Sequence, residues 1–377
     1  MIHRIAVIGN SAINLGVGCA ADLALAGHDV SLFVWPEDAA FLDVIKAQGG
    51  IEVRGDTREL VSGKTGLASL RMATTDIAEA VDGAELIIVD VPWPALEHRF
   101  EQLLPVLKNG QVVHINMHGY WTSFRVAAML REAGKDGVTL TEGPDPTISA
   151  GYADGTVTPH RLKRNLAVAA FPAKRNAEAL ALLSEVYPNV VPAENVLQTN
   201  LESMNFMIHP AMTLLSITAF DRAAEAAEPI RFYRDGNTRH AGVLSEALDA
   251  ERGRICRAYG VRFKPFHEQV NDLYGASGTN FQEAVAGSKW LQNLPPLPND
   301  VWQTWMLADA ALLHVPFVSI AENAGEKTPL YRSLVDLLGV ILKCDFWASG
   351  LTLERLGIKG LSPSQIVAYA TEGRRPD

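Results

Sequence analysis

The strongest candidates for chemistry are a histidine and an asparagine four residues apart, in Asn205-Phe-Met-Ile-His209-Pro210. Histidine has an unperturbed pKa close to neutral, so it can take up and return a proton under ordinary conditions. The i,i+4 spacing puts Asn205 and His209 on one face of a helix. Pro210 removes a backbone donor just after the histidine and is expected to kink or interrupt that helix. A carboxylate to orient the ring must come from elsewhere in the chain. Asp300 opens a predicted helix after the proline cluster Leu294-Pro-Pro-Leu-Pro298, where its position alone reads as an N-cap. The stretch Phe232-Tyr-Arg234-Asp-Gly-Asn-Thr-Arg239 sets two cations in one loop, suited either to a substrate carboxylate or to solvent. His98, His114 and His118 fall near predicted strand ends, where they could touch a cofactor or substrate or serve the fold. No G-x-S-x-G, H-E-x-x-H or Walker-type sequence occurs, so hydrolase and triphosphatase chemistry has no support. Cys19, Cys256 and Cys344 are far apart, without metal-ligand spacing, and no metal centre is expected.

The elements that would position these groups begin at the N-terminus. Ile5-Ala-Val-Ile8 suits a buried parallel strand, Gly9 ends it, and Gly16 and Gly18 precede a helix that stops at Gly27-His28. Val30-Ser-Leu-Phe-Val34 supplies a second strand. A glycine turn between strand and helix lets backbone N–H groups approach a pyrophosphate, so a dinucleotide site is expected here. Gly9, Asn10, Ser11 and Ala12 are its candidate phosphate contacts, and Trp35 is a candidate to pack on the nucleotide. The turn is longer than G-x-G-x-x-G, and the usual acidic ribose position holds Val34. No Lys or Arg lies nearby in sequence to favour a 2′-phosphate, so either NAD or NADP remains open.

Further strands are expected at Ala84–Val91, Gln111–Ile115 and Val138–Thr141, with Asp76 capping a short helix. Such alternation predicts an α/β fold: an N-terminal Rossmann-type, doubly wound parallel sheet covered by helices on both faces. Ligands in that architecture sit at the carboxyl ends of strands, so Gly9, Val91, Pro92 and Asn116 should surround one crevice. From about Asn195 helical spacing dominates, and a mainly α-helical C-terminal domain follows. The expected division is residues 1–190 and 191–377, with Thr147–Pro172 as an interdomain region. At 377 residues two domains are the default, and 48% hydrophobic with 20% charged residues argues against disorder. A net charge of -10 disfavours nucleic-acid binding. No leader or bilayer-spanning run is read, so a soluble cytoplasmic protein without membrane association is expected.

Over nearly its full length the chain resembles the opine dehydrogenase family of octopine/nopaline dehydrogenase type. The matching stretches include Ala20-Ala-Asp-Leu-Ala-Leu-Ala-Gly-His28, Asn205-x-x-x-His209-Pro210, Phe232-Tyr-Arg-Asp-Gly236, Leu248-Asp-Ala-Glu-Arg252 and Asn299-Asp-Val301. The resemblance implies a Rossmann domain, a helical domain and a substrate between them. It implies NAD(P)H-dependent joining of an amino acid or other amine to a 2-oxo acid, or the reverse. His209 and Asp300 would form the catalytic dyad, with Asn205 lining the nicotinamide and substrate site. His118, Glu142, Arg234 and Trp302 are the candidate substrate contacts, and a homodimer is expected. After Glu142 the chain continues Gly-Pro-Asp-Pro-Thr-Ile-Ser, without the arginine common in the family. After Asp300-Val301 it has Trp302-Gln-Thr-Trp305, which suggests a reshaped pocket for an aromatic or bulky substrate. Two alternatives are a ketone or 2-hydroxy acid dehydrogenase of ketopantoate-reductase type and a non-catalytic NAD(P)-binding sensor. The Asn205/His209 pair argues against the first, whose members typically use a lysine.

Overall fold

The computed structural model describes residues 1–9, 15–298 and 300–376. They divide into two compact units. The first comprises Met1–His118, Thr122–Thr199 and Ala370–Gly373, and the second Gly119–Trp121, Asn200–Tyr369 and Arg374–Asp377.

The first unit holds the strands β1 (Arg4–Ile8), β2 (Asp29–Phe33), β3 (Ile51–Val53), β4 (Gly66–Ala68), β5 (Met72–Thr74), β6 (Leu86–Val89), β7 (Val112–Ile115), β8 (Thr139–Glu142), β9 (Ile148–Ala153), β10 (Thr156–Leu162), β11 (Leu166–Phe171) and β12 (Val190–Pro192). Eight of them form one sheet in the order β12-β11-β8-β7-β6-β1-β2-β5. Its centre is parallel from β8 to β5, while β11 runs antiparallel to β8. Strands covered on both faces carry unbroken apolar runs rather than alternation, and Ile5, Ala6, Val7, Leu86, Ile87 and Ile88 are fully buried. The strand order reverses between β1 and β6, which is where a doubly wound sheet opens a crevice for a ligand.

A smaller sheet, β4-β3-β10-β9, packs on the helix Leu15–Ala26. Gly18 permits that contact, since a Cβ there would lie 2.7 Å from the Ala150 Cβ. Thr147–Pro172 therefore belongs to the Rossmann unit as the β9–β10 hairpin and β11, and is not an interdomain segment. Its alternation of apolar and polar residues is short and broken by Pro159, where the β9–β10 register shifts. Asp76 caps its helix as expected, accepting from the N–H groups of Ala78 (2.9 Å) and Glu79 (3.1 Å).

The second unit is helical, built around Ile208–Ala226, Arg239–Ala258, Pro329–Leu342 and a continuous run from Val301 to Asn323. That last run is long and apolar enough, by length and composition, to cross a membrane, contrary to the sequence expectation; 72% of its most apolar window is buried, as in a core helix. Arg252 sits wholly inside this unit with its charge matched. It donates to Asp249 Oδ1 (2.8 Å) and to the carbonyls of Leu201 (2.9 Å) and Lys264 (2.5 Å).

Candidate active site

Within the helical unit, the His209 ring is held at both nitrogens. Nδ1 lies 2.8 Å from Asp309 Oδ2, and Nε2 lies 3.0 Å from the Tyr233 hydroxyl. The other carboxylate oxygen, Asp309 Oδ1, accepts from the Tyr120 hydroxyl (3.0 Å) and Asn205 Nδ2 (3.2 Å). Asp309 is fully buried and His209 nearly so. A buried carboxylate stays tolerable when its lone pairs are filled, and here an imidazole, a phenol and an amide fill them. Trp305 stacks on the His209 ring with centroids 4.6 Å apart and planes inclined by 14°. Phe232 meets the same ring edge-on at 5.9 Å.

The dyad differs from expectation at its carboxylate. Asp300 is exposed at the start of the helix Val301–Asp309 and makes no side-chain cap hydrogen bond. Asp309 closes that same helix, about 13 Å further along the axis at the normal helical rise. The correction follows from the helix period: the carboxylate able to enter the core is the one among apolar residues, not the one at the solvated end. A π-helical turn, Ala310–His314, begins directly after Asp309. Pro316 has no N–H for the carbonyl four residues back, and widening the turn relieves the clash of its ring there. The Ala311 carbonyl in this turn accepts from the Leu351 N–H at 2.9 Å.

Asn205 and His209 do not share one helix. Asn205 lies in the 3-10 turn Met204–Phe206, and His209 in the first turn of Ile208–Ala226. Pro210 falls in that first turn, where an N–H is not needed, so it starts the helix instead of kinking it. Both side chains nonetheless reach the same carboxylate.

In the Rossmann unit, Gly9 ends β1 with φ +87°, and a Cβ there would lie 2.6 Å from the Asp90 carbonyl oxygen and 3.2 Å from Trp35 Nε1. Only glycine fits such a left-handed, crowded position. Trp35 is buried against Phe33, and its indole N–H has no hydrogen-bond partner among the described residues. A buried donor without a partner, beside a glycine at the switch point, fits an oxygen-rich ligand such as a dinucleotide. Asp90 accepts from the Gly16 N–H, so that donor at the helix start is used within the protein. Val91 is buried beside Gly9 and Pro92 is exposed at the same strand end. Asn10, Ser11 and Ala12 lie outside the described residues.

Three expected contacts are engaged in the fold itself. Asn116 is buried; its Oδ1 accepts from the N–H (3.0 Å) and hydroxyl (3.1 Å) of Thr147, tying β7 to the segment before β9. Glu142 is buried at the end of β8, accepting from the Ser123 N–H (2.7 Å) and the Thr122 hydroxyl at the start of the helix Thr122–Glu132. Arg234 is half exposed and pairs with its neighbour Asp235 at 2.7 Å; in that loop Tyr233 makes the hydrogen bond to His209 and Phe232 packs against its ring. Trp302 is buried with Phe220, Ile230 and Phe232 around a small apolar recess.

His118 keeps a half-exposed ring whose Nδ1 is 2.8 Å from Asp145 Oδ1. Burial alone would raise the Asp145 carboxyl; the Lys163 ammonium and His118 outweigh it and hold the group down at about 2. Sequence reasoning missed Asp309, Tyr233, Tyr120 and Asp145. An aspartate inside an apolar helical run was the available signal for Asp309, because an unpaired buried charge is rare.

The helical region, residues 192–342, matches the family model described as NAD/NADP octopine/nopaline dehydrogenase, alpha-helical domain. An opine dehydrogenase of Arthrobacter sp. (strain 1C) is 30% identical over 356 residues, covering 94% of this chain and 95% of the relative. Among solved structures, octopine dehydrogenase in complex with NADH and agmatine superposes with a TM-score of 0.76 at 17% identity, covering 100% of this chain and 99% of the other. NADP+-bound yersinopine dehydrogenase gives 0.70 at 14% identity, covering 98% and 99%. With the Rossmann sheet, the helical unit and a relative matched end to end, the chain belongs to the opine dehydrogenase family, NAD(P)-dependent dehydrogenases acting on CH–NH groups.

Proposed function

We propose that this chain joins the amino group of an amino acid or other amine to the carbonyl of a 2-oxo acid, and runs the reverse oxidation, with His209 exchanging the proton. The observation that carries this reading is the buried Asp309–His209 pair, because a fixed imidazole is the group such chemistry needs. The nicotinamide, when bound, supplies or accepts the hydride at the carbon of the C–N bond. Gly9 would approach its pyrophosphate and Trp35 would offer an N–H to an oxygen of the nucleotide.

The protein's own part is proton handling. Asp309 Oδ2 accepts from Nδ1–H, which fixes the tautomer and leaves Nε2 as the exchanging atom. Nε2 takes the proton that the amine gives up as the C–N bond forms, and returns it to the hydroxyl that then leaves the adduct as water. In reverse the same nitrogen takes a proton from the water that attacks the imine. Asn205 and Tyr120 keep the carboxylate from rotating away. Trp305 and Phe232 wall the ring and exclude water from it.

The test is a matrix of amino acids and amines against pyruvate, 2-oxoglutarate and oxaloacetate, followed by cofactor absorbance with NADH and with NADPH. Turnover that requires both an amine and an oxo acid supports the proposal. Turnover on an oxo acid alone would make the chain a 2-hydroxy acid dehydrogenase, and no turnover with any pair would favour the sensor.

A further inference from the structure

At the carboxyl end of β2, the place where a Rossmann sheet meets the adenosine ribose, three side chains from two parts of the sequence come together. Trp35 lies two residues past the strand, and its indole N–H is buried without a hydrogen-bond partner among the described residues. Glu37 lies in the short turn Pro36–Asp38 and is more than half exposed. Arg99, from the helix Leu96–Leu103, lays its guanidinium over the Trp35 ring, with Cζ 4.1 Å from the centroid, and donates to Glu37. The sequence holds no cation near β2, but the fold brings one from more than sixty residues away.

We propose that the Glu37–Arg99 pair over Trp35 reads the adenosine ribose and selects NAD over NADP. The inference rests on the dinucleotide use argued above and adds which dinucleotide is taken. A carboxylate is an acceptor only, so it suits the two hydroxyls of an unmodified ribose. A 2′-phosphate would set a dianion against that carboxylate. Arg99 does not cancel the conflict, because its charge is already matched by Glu37, which its hydrogen bond holds below the ordinary glutamate range. Arg99 thus acts as a positioning residue, pinning Glu37 and the indole in one geometry. Trp35 adds a donor for a ribose or phosphate oxygen in either cofactor, so it contributes affinity and not choice.

Isothermal titration of the full chain with NADH and NADPH, without substrates, tests this directly. The unmodified protein is expected to bind NADH about tenfold or more tightly than NADPH, the size of one well-placed charged contact. Glu37→Gln frees Arg99 for a phosphate, so NADPH affinity should rise and the ratio should narrow or invert. Arg99→Ala should weaken NADH binding without improving NADPH binding. Equal affinities in the unmodified protein, tighter NADPH binding, or a ratio unmoved by Glu37→Gln would overturn the inference. Failure of both dinucleotides to bind would instead overturn the dinucleotide reading itself. Glu37 is exposed, so its substitution leaves the core intact and the comparison stays interpretable.

Discussion

Asp309 Oδ2 lies 2.8 Å from Nδ1 of His209, across one hundred residues of sequence and at the end of a helix that another aspartate, Asp300, immediately precedes. The two aspartates make opposite expectations about substitution. Asp309→Asn keeps the shape but loses the charge and can hold the wrong tautomer of the ring. Turnover should fall by about a hundredfold or more, in the range seen when a histidine loses its orienting carboxylate. Asp300→Asn should leave kcat within about twofold, because an exposed residue with no cap bond contributes little. Steady-state kinetics on both variants, with melting curves as a folding control, decides between the residues.

Tyr233 occupies the nitrogen that must exchange a proton, since its hydroxyl is 3.0 Å from His209 Nε2. Tyr233→Phe should lower kcat by about tenfold, the scale of one hydrogen bond made to a charged ring. A relay through the phenol would also move the pH profile of kcat, whereas mere packing would leave the profile in place. An unchanged profile with an unchanged kcat would remove Tyr233 from the proton path.

The tryptophans beside the dyad carry separate tests. Trp305→Ala strips the stacked wall from His209 and should reduce kcat while admitting larger amines. Trp302→Ala opens the buried recess and should cost about 3–5 kcal/mol of stability, as large-to-small core changes do. Unaltered preference across the amine panel in both variants would show that neither ring shapes the substrate site.

Buried histidines set the acid limit of the fold. Burial depresses both His114 and His314 to about 4, and neither ring nitrogen of His314 has a hydrogen-bond partner among the described residues. The unfolded chain takes up those protons near the ordinary histidine pKa of about 6.5, and the folded chain does so only near 4. Stability is therefore full above about pH 6.5 and declines as pH falls toward 4, by at most about 3 kcal/mol for each ring. Asp145, held at about 2, adds a later loss as pH drops below the ordinary aspartate range toward 2. Urea unfolding at pH 8, 6, 5 and 4 should show this slope; a flat profile from pH 7 to 4.5 would contradict it.

Much of this fold is legible in the sequence. The unbroken apolar runs at Ile5–Ile8 and Leu86–Val89 announced buried parallel strands, because only strands covered on both faces need no alternation. The His209/Asn205 pair was legible as polar residues inside an apolar helical stretch. Asp309 showed itself only as a charge inside an apolar run; its pairing with His209 was hidden, since spacing within a sequence carries no information about a partner one hundred residues away. Arg99 was hidden for the same reason: it reaches Trp35 from the helix after β6, not from the chain flanking β2. The structural bonds of Glu142 and Asn116 were not legible either, because strand-end polar residues serve a ligand, the next turn, or both. Here the N–H groups of Ser123 and Thr147 claimed them first.

The most direct measurement pairs turnover with cofactor binding in His209→Asn. The variant keeps a hydrogen-bonding side chain of similar reach, so the dinucleotide affinity of the Rossmann unit should stay within about twofold of the unmodified protein. Reductive condensation should at the same time fall by about a thousandfold, as expected when the group that moves the proton is removed. Turnover retained within tenfold would contradict the assignment of His209 as the proton-exchanging residue.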